Sequence, residues 1–215
     1  MNPINNKASS YSERVTAFYN STSYDAKRGH AGQPPKEAAR LFRSFCQSLP
    51  QNGLIGDYGC GNGLNFGRSL LQNGLQYLGI DDSSAQLSYA AHKLPQASLL
   101  LADYTTFSFP ADYFDGILLI NSLQETEAQR HAEILHKITC QLKMHGSLLF
   151  ALPVLSNQTT EELLPSAAEM CPAYSVLELS AYEALLIDYG FCILEKAEIR
   201  QSADLASFWL LAEKQ

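Results

Sequence analysis

Residues 54–63 read Leu-Ile-Gly-Asp-Tyr-Gly-Cys-Gly-Asn-Gly, and this stretch decides the fold. Its first half, 54–58, is short, opens on Leu54 and Ile55 and ends at a glycine turn, which predicts a buried strand. Gly59, Gly61 and Gly63 then alternate with other residues before a helical pattern over about 64–73 that stops at Gly74, where a left-handed cap is expected. A strand, a glycine turn and a helix in that order form one β-turn-α unit. Glycines there let the backbone pass close to a ligand, and free N–H groups at the helix start are expected to point outward. Some nucleotide-like ligand is implied.

The same alternation runs through the rest of the chain. Strands are expected at 76–81, 97–101, 113–120 and 146–152. Ser83 with Gln86, Thr126 with Gln129, and Ser180 with Glu183 have the spacing of capping boxes and predict three helix starts. Ahead of the first strand, Pro34-Pro35 opens a helix with Ala38, Leu41, Phe42 and Phe45 on one face. The last strands, 191–200 and about 206–212, are joined by so short a link that they must form an antiparallel hairpin. The fold class is α/β: a three-layer sandwich whose mostly parallel seven-stranded sheet ends in that hairpin. A stretch at 153–179 is too long for an ordinary connection, and 163–170 within it reads as a short helix.

Composition sets the outer bounds. The 215 residues are 46% apolar and 17% charged, enough for one substantial core, and no linker or repeat divides them. Fifteen Lys+Arg against 22 Asp+Glu leave a net charge of −7, with no basic run to neutralise several phosphates, so nucleic acid is excluded as a partner. No apolar run is long enough to span a membrane and no signal peptide opens the chain, which reads as soluble and cytoplasmic. The five cysteines are scattered without a CxxC pair, so neither a disulfide framework nor a metal site is expected.

Three acidic residues stand at expected strand ends: Asp57, Asp81 and Asp103. Open α/β sheets bind ligands along that edge. A dinucleotide fingerprint, G-x-G-x-x-G/A, fails in both registers, because the sixth position is Leu64 or Phe66. Asp57, two residues before Gly59, would repel a pyrophosphate and attract an ammonium or sulfonium, so the charge favours a cationic ligand. Asp81 lies about 20 residues beyond Gly59, where a carboxylate accepts the hydroxyls of a ribose in either ligand class. Asp103 and the neighbouring N–H are placed to read an adenine edge.

These segments together resemble the class I S-adenosylmethionine-dependent methyltransferases. GDYGCGNG (56–63) is similar to the family's first motif, GIDDS (79–83) to its second-strand acid, LLLADYTTFSF (99–109) to its adenine motif and FDGILLINSLQ (114–124) to its fourth-strand motif. Leu142-Lys143-Met144-His145-Gly146 occupies the place of the family's L-K-P-G-G, with Met-His replacing Pro-Gly. The likeness covers about 54–214, and it implies a single methyltransferase domain over 1–215, with 1–33 as an N-terminal lid or loose segment and 153–179 as a substrate cap.

The resemblance implies S-adenosylmethionine as cofactor. Asp57 and the loop Gly59, Cys60, Gly61, Asn62 and Gly63 would hold the methionine moiety, Asp81 the ribose, and Asp103 with Tyr104 the adenine. Asn121 would border the methyl-transfer cavity. Asp82 competes with Asp81 for the ribose, although it reads otherwise as a solvated or capping residue. Of the histidines, His92, His131, His136 and His145 read as solvated, while His30, in the region where relatives place a lid, is a candidate to touch substrate or remove a proton, as is Asn121. Tyr19 and Tyr24 would cover the cofactor. The expected reaction is methyl transfer to an O, N or C nucleophile of a small molecule, since Asn121-Ser122-Leu123-Gln124 is not the N-P-P-Y sequence of amino-base nucleic-acid methyltransferases. A nicotinamide-dependent oxidoreductase and a non-catalytic cofactor-binding or interaction protein remain as alternatives. Oligomeric state is not legible in the sequence.

Overall fold

The computed structural model describes residues 11–21, 36–155, 175–200 and 205–215. Seven strands form one sheet in the order β3-β2-β1-β4-β5-β7-β6. These are β1 (Leu54–Tyr58), β2 (Gln76–Asp81), β3 (Ser98–Leu101), β4 (Phe114–Ile120), β5 (Leu142–Leu155), β6 (Phe191–Arg200) and β7 (Leu205–Lys214). The first five run parallel, and β7 lies antiparallel between β5 and β6. The chain moves outward from β1 to β3 and then returns to place β4 on the other side of β1, which makes the C-terminal end of β1 the switch point of the sheet.

The strands alternate their side chains between two apolar layers. Ile117 and Leu119 of β4 join Tyr58, Phe150 and Leu135 on one face. Leu118 between them points to the other, with Ile55, Leu149 and Trp209. Helix α2 (Lys36–Ser48) seals this second face with Ala38, Leu41 and Phe45, all fully buried. Helix α5 (His131–Cys140) seals the first with Ile134, Leu135 and Ile138. The other helices are α1 (Tyr11–Tyr19), α3 (Gly67–Gln72), α4 (Ser84–Lys93) and α6 (Leu179–Asp188).

Several boundaries differ from the sequence reading. Helix α3 begins only at Gly67 because the Asn62 side chain accepts from the Leu64 amide at 3.1 Å, holding 62–64 in a turn. Strand β5 is longer than expected at both ends, since Leu142 pairs with Phe114 of β4 at its start and β7 pairs with it as far as Leu155 at its end. His145 adopts a left-handed φ of 61° where the β4–β5 register shifts, between Leu142 and Ser147, which accounts for glycine in the related motif. Ser83 does cap α4, accepting from the Gln86 amide at 3.3 Å. The other two expected caps do not form. Thr126 donates to the Leu123 carbonyl within a 3₁₀ turn and α5 starts five residues later, while α6 starts at Leu179 and Glu183 instead pairs with Lys196 at 3.0 Å.

His131 corrects another expectation, for it is buried rather than solvated. Its Nδ1 lies 2.7 Å from the Tyr182 hydroxyl and its Nε2 lies 3.2 Å from the Thr126 carbonyl. Because the Leu177 amide donates to the Tyr182 oxygen, the phenol proton is directed to Nδ1 and the imidazole proton to Thr126. Burial holds the imidazole neutral, with its pKa lowered to about 4. The network ties α6 and α5 to the turns that follow β4. The expected helix at 163–170, His30 and Tyr24 lie outside the described residues, as does most of 153–179.

Candidate functional site

A cavity of about 480 Å³ opens over the C-terminal ends of β1, β2, β3 and β4. Glycine shapes its floor. Gly59, Gly61 and Gly63 have φ of 70°, 56° and 67°, a region that L side chains avoid. A methyl group on Gly59 would also stand 2.4 Å from Cβ of Ser122, whose hydroxyl donates to the Tyr58 carbonyl at 3.0 Å.

Four of the loop's five amides are directed inward, against the expectation of free N–H groups facing the ligand. Gly59 and Cys60 donate to the Ile80 carbonyl at 2.8 and 3.1 Å, Gly61 donates to Asp81 at 2.7 Å, and Gly63 donates to Cys60 at 3.0 Å. Amides spent on the loop itself leave little with which to cradle a pyrophosphate. What the loop offers a ligand is a close, uncharged surface beside two carboxylates.

Those carboxylates are Asp57 and Asp81, 5% and 9% exposed. Asp57 accepts from the Tyr77 hydroxyl at 2.8 Å. Burial pushes its pKa up to about 7, against the stabilising Tyr77 bond and with a further rise from neighbouring Asp81. Asp81 accepts one amide on each oxygen, Gly61 on one and Ser83 at 2.9 Å on the other. Its pKa is raised to about 6, again chiefly by burial, with the Ser83 and Gly61 amides opposing. Each of its oxygens retains a further lone pair for a ligand donor. Neither acid is paired with Lys, Arg or His among the described residues.

The structure brings the remaining expected site residues to this same cavity: Cys60, Asn62, Asp82, Asp103, Tyr104 and Asn121 all line it. Asp82 is neither solvated nor a cap, because it accepts from the Thr16 hydroxyl of α1. Asp103 caps the turn after β3, accepting from the amide and hydroxyl of Thr105 at 2.8 and 2.7 Å with one oxygen. Tyr104 packs edge-on against Tyr58 at 6.0 Å. Asn121, at φ 51°, is fixed by its amide to the Ala151 carbonyl at 2.9 Å, and its side-chain oxygen is buried without a hydrogen-bond partner among the described residues.

Several lining residues were not read from the sequence. Helix α1 supplies Ser12 and Val15, together with the anticipated Tyr19, which donates to Glu125 across the opening. The spacing of Tyr11, Val15, Phe18 and Tyr19 is a helical period that could have revealed it. Gln86, 3% exposed, has a buried side-chain oxygen beside the glycine loop with no hydrogen-bond partner among the described residues. Its place three residues after Ser83 marks it only as a cap. Glu125, Thr126, Glu127 and Arg130 come from the 3₁₀ turns between β4 and α5, and nothing local singles them out.

A ligand that fits must therefore accept contact with two buried, unpaired carboxylates and supply donors to the orphan oxygens of Asn121 and Gln86. An adenosyl amino acid with ammonium, sulfonium and ribose hydroxyl groups meets each demand. A dinucleotide's pyrophosphate meets neither. A family profile described as a methyltransferase domain matches residues 56–150, the span holding all of these acids.

The match supports a class I S-adenosylmethionine-dependent methyltransferase.

S-adenosylmethionine is the cofactor of that family. The chain is 28% identical over 127 residues to a trans-aconitate 2-methyltransferase of Variovorax paradoxus. That match takes in 58% of this chain and 48% of the relative, so it spans about half the length of the curated protein. Among solved structures, magnesium protoporphyrin IX methyltransferase of Synechocystis with bound S-adenosylmethionine superposes with a TM-score of 0.72 at 17% identity, covering 98% of this chain and all of that one. The [4+2]-cyclase SpnF shares the fold as well, with a TM-score of 0.66 at 17% identity over 89% of this chain and 85% of its own. A methyltransferase fold thus serves more than one reaction, and function has to be argued from the site.

Proposed function

We propose that this methyltransferase transfers a methyl group from S-adenosylmethionine to an O, N or C nucleophile of a small molecule. The observation that carries the reading is the pair Asp57 and Asp81, buried beside the glycine loop without a cationic partner among the described residues. A positively charged ligand supplies the missing partner. In this reading Asp57 and the loop hold the methionine end, Asp81 takes the ribose hydroxyls, and Asp103 with Tyr104 bounds the adenine. Asn121 and Gln86 offer their free oxygens to ligand donors, and Cys60, Asn62 and the three glycines give the close surface beneath.

When bound, the cofactor supplies a methyl group on positively charged sulfur, which is open to in-line displacement. The protein's part is then to hold donor and acceptor in line and to exclude water, and positioning of this kind contributes on the order of 7 to 11 kcal/mol. Helix α1 acts as a lid on this site, held on one side by Thr16 to Asp82 and on the other by Tyr19 to Glu125. The region 153–179 is assigned as the acceptor-side cap and 1–33 as the lid region, within one methyltransferase domain over 1–215. His30 would reach the acceptor from the lid. No described helix is long and apolar enough to cross a membrane, and the reading places the enzyme in the cytoplasm. The net charge of −7 supports a small acceptor over a nucleic acid.

Incubation with methyl-labelled S-adenosylmethionine and a small-molecule extract tests this. Label should enter material that passes a small-molecule filter and stay out of added DNA, RNA and protein. Label in a macromolecule alone, or in nothing while the cofactor binds, contradicts the assignment.

A further inference from the structure

We propose that the acceptor is a small carboxylate, held through that group by Arg130 at the end of the cavity formed by the turns between β4 and α5. This deepens the functional reading above and rests on it for the methyl donor.

The charges that line the cavity are unequally satisfied. Asp57 accepts from Tyr77, Asp81 from two backbone amides, Asp82 from Thr16, Asp103 from Thr105 and Glu125 from Tyr19. All five acids are thus met by neutral donors. Arg130 is the one Lys or Arg lining the cavity among the described residues, and it has no side-chain hydrogen bond or ion pair with any of them. Glu127, three residues earlier and exposed, is not paired with it. Its neighbours Thr126 and Glu127 belong to a wall that the cofactor assignments leave unused. A guanidinium presents a planar fork of donors that matches a carboxylate in two parallel hydrogen bonds.

The same wall is poor in groups that could remove a proton. Among the described lining residues there is no histidine or lysine, and each carboxylate except that of Glu127 already accepts a hydrogen bond. A carboxylate needs no such help, because it is ionised at neutral pH. One of its oxygen lone pairs forms the new bond to the methyl carbon, and the carbon–sulfur bonding pair returns to sulfur. The products are a methyl ester and a neutral thioether, and no proton moves. Arg130 orients the group and offsets its charge in a cavity otherwise lined by acids.

The test is calorimetry on the full chain, first with S-adenosylhomocysteine alone and then, on the saturated complex, with acetate, succinate, citrate and benzoate against ethanolamine and benzylamine. At least one carboxylate should bind and neither amine should. Arg130→Gln should raise the dissociation constant of that carboxylate roughly tenfold or more, Arg130→Lys should fall between, and both should bind S-adenosylhomocysteine within about twofold of the native protein. Absence of binding by every carboxylate, binding that Arg130→Gln leaves intact, or preference for the amines overturns the proposal. Failure of S-adenosylhomocysteine to bind would instead strike the cofactor reading. The carboxylates are then titrated into the free protein and judged by the same dependence on Arg130.

Discussion

Asp81 and Asp82 are neighbours with opposite attachments, and the difference sets what each should do when removed. Asp81 faces the glycine loop and holds two amides of the protein, while Asp82 reaches out to Thr16 on α1. Hydrogen bonds to a charged group contribute about 1.5 to 3 kcal/mol each. Asp81→Ala should therefore weaken S-adenosylhomocysteine binding by roughly ten- to several-hundredfold. Asp82→Ala loses only the tie to α1, and a loss of about three- to tenfold is expected, with calorimetry separating the two. The pH dependence follows from Asp57 and Asp81, whose pKa values burial raises to about 7 and about 6. A cationic ligand is held by the ionised forms, so affinity for S-adenosylmethionine should rise, roughly tenfold or more, between pH 5.5 and 7.5. Stability of the free protein runs the other way. The unfolded chain releases these protons near pH 4 and the folded chain only near 6 to 7, so their contribution falls as pH rises through that window. Free Asp57→Asn should accordingly melt higher than the native protein at pH 8, a margin that shrinks at pH 5, while its affinity for the cofactor becomes lower and flatter with pH.

At the level of elements, what was legible in the sequence is what local signals specify. The apolar runs gave the strands, and Gly59, Gly61 and Gly63 marked the turn because their backbone angles favour glycine. Acids at strand ends marked Asp57, Asp81 and Asp103, since the parallel sheet places those ends on one edge. The misses depend on partners distant in the chain. Thr16 meets Asp82 across 66 positions, and His131 meets Tyr182 across 51, so neither the α1 contact nor a buried histidine can be read from its own neighbourhood. The Thr126 and Ser180 caps failed because 3₁₀ turns and an earlier helix start satisfied those residues differently. The His131 network makes its own prediction. His131→Ala removes the acceptor for the Tyr182 proton and the donor to the Thr126 carbonyl, at about 1 to 3 kcal/mol each, which corresponds to a fall in Tm of roughly 4 to 24 °C. Affinity for S-adenosylhomocysteine should change less than about threefold, because the imidazole braces the wall from behind. Since the neutral imidazole is the buried form, its contribution is present at neutral pH and lost as pH falls from about 6.5 through 4.

For the whole molecule, the sheet's switch point, the inward-bonded glycine loop and the unpaired acids all act on one discrimination, between a cationic adenosyl ligand and an anionic dinucleotide. Burial of two carboxylates is costly to the free protein, and a cation in the cavity offsets that cost. A pyrophosphate in the same place would add to it. The fold alone does not make this choice, since open α/β sheets accept both ligand classes at the same edge. Calorimetric titration of the full chain at pH 7.5 with S-adenosylmethionine, and in parallel with NADH, measures the discrimination directly. S-adenosylmethionine should bind with a dissociation constant of about 1 to 100 μM, weakened roughly tenfold or more by Asp57→Asn, and NADH should show no heat at millimolar concentration. Binding of NADH, or binding of S-adenosylmethionine that Asp57→Asn leaves unchanged, would contradict the assignment of the carboxylate pair.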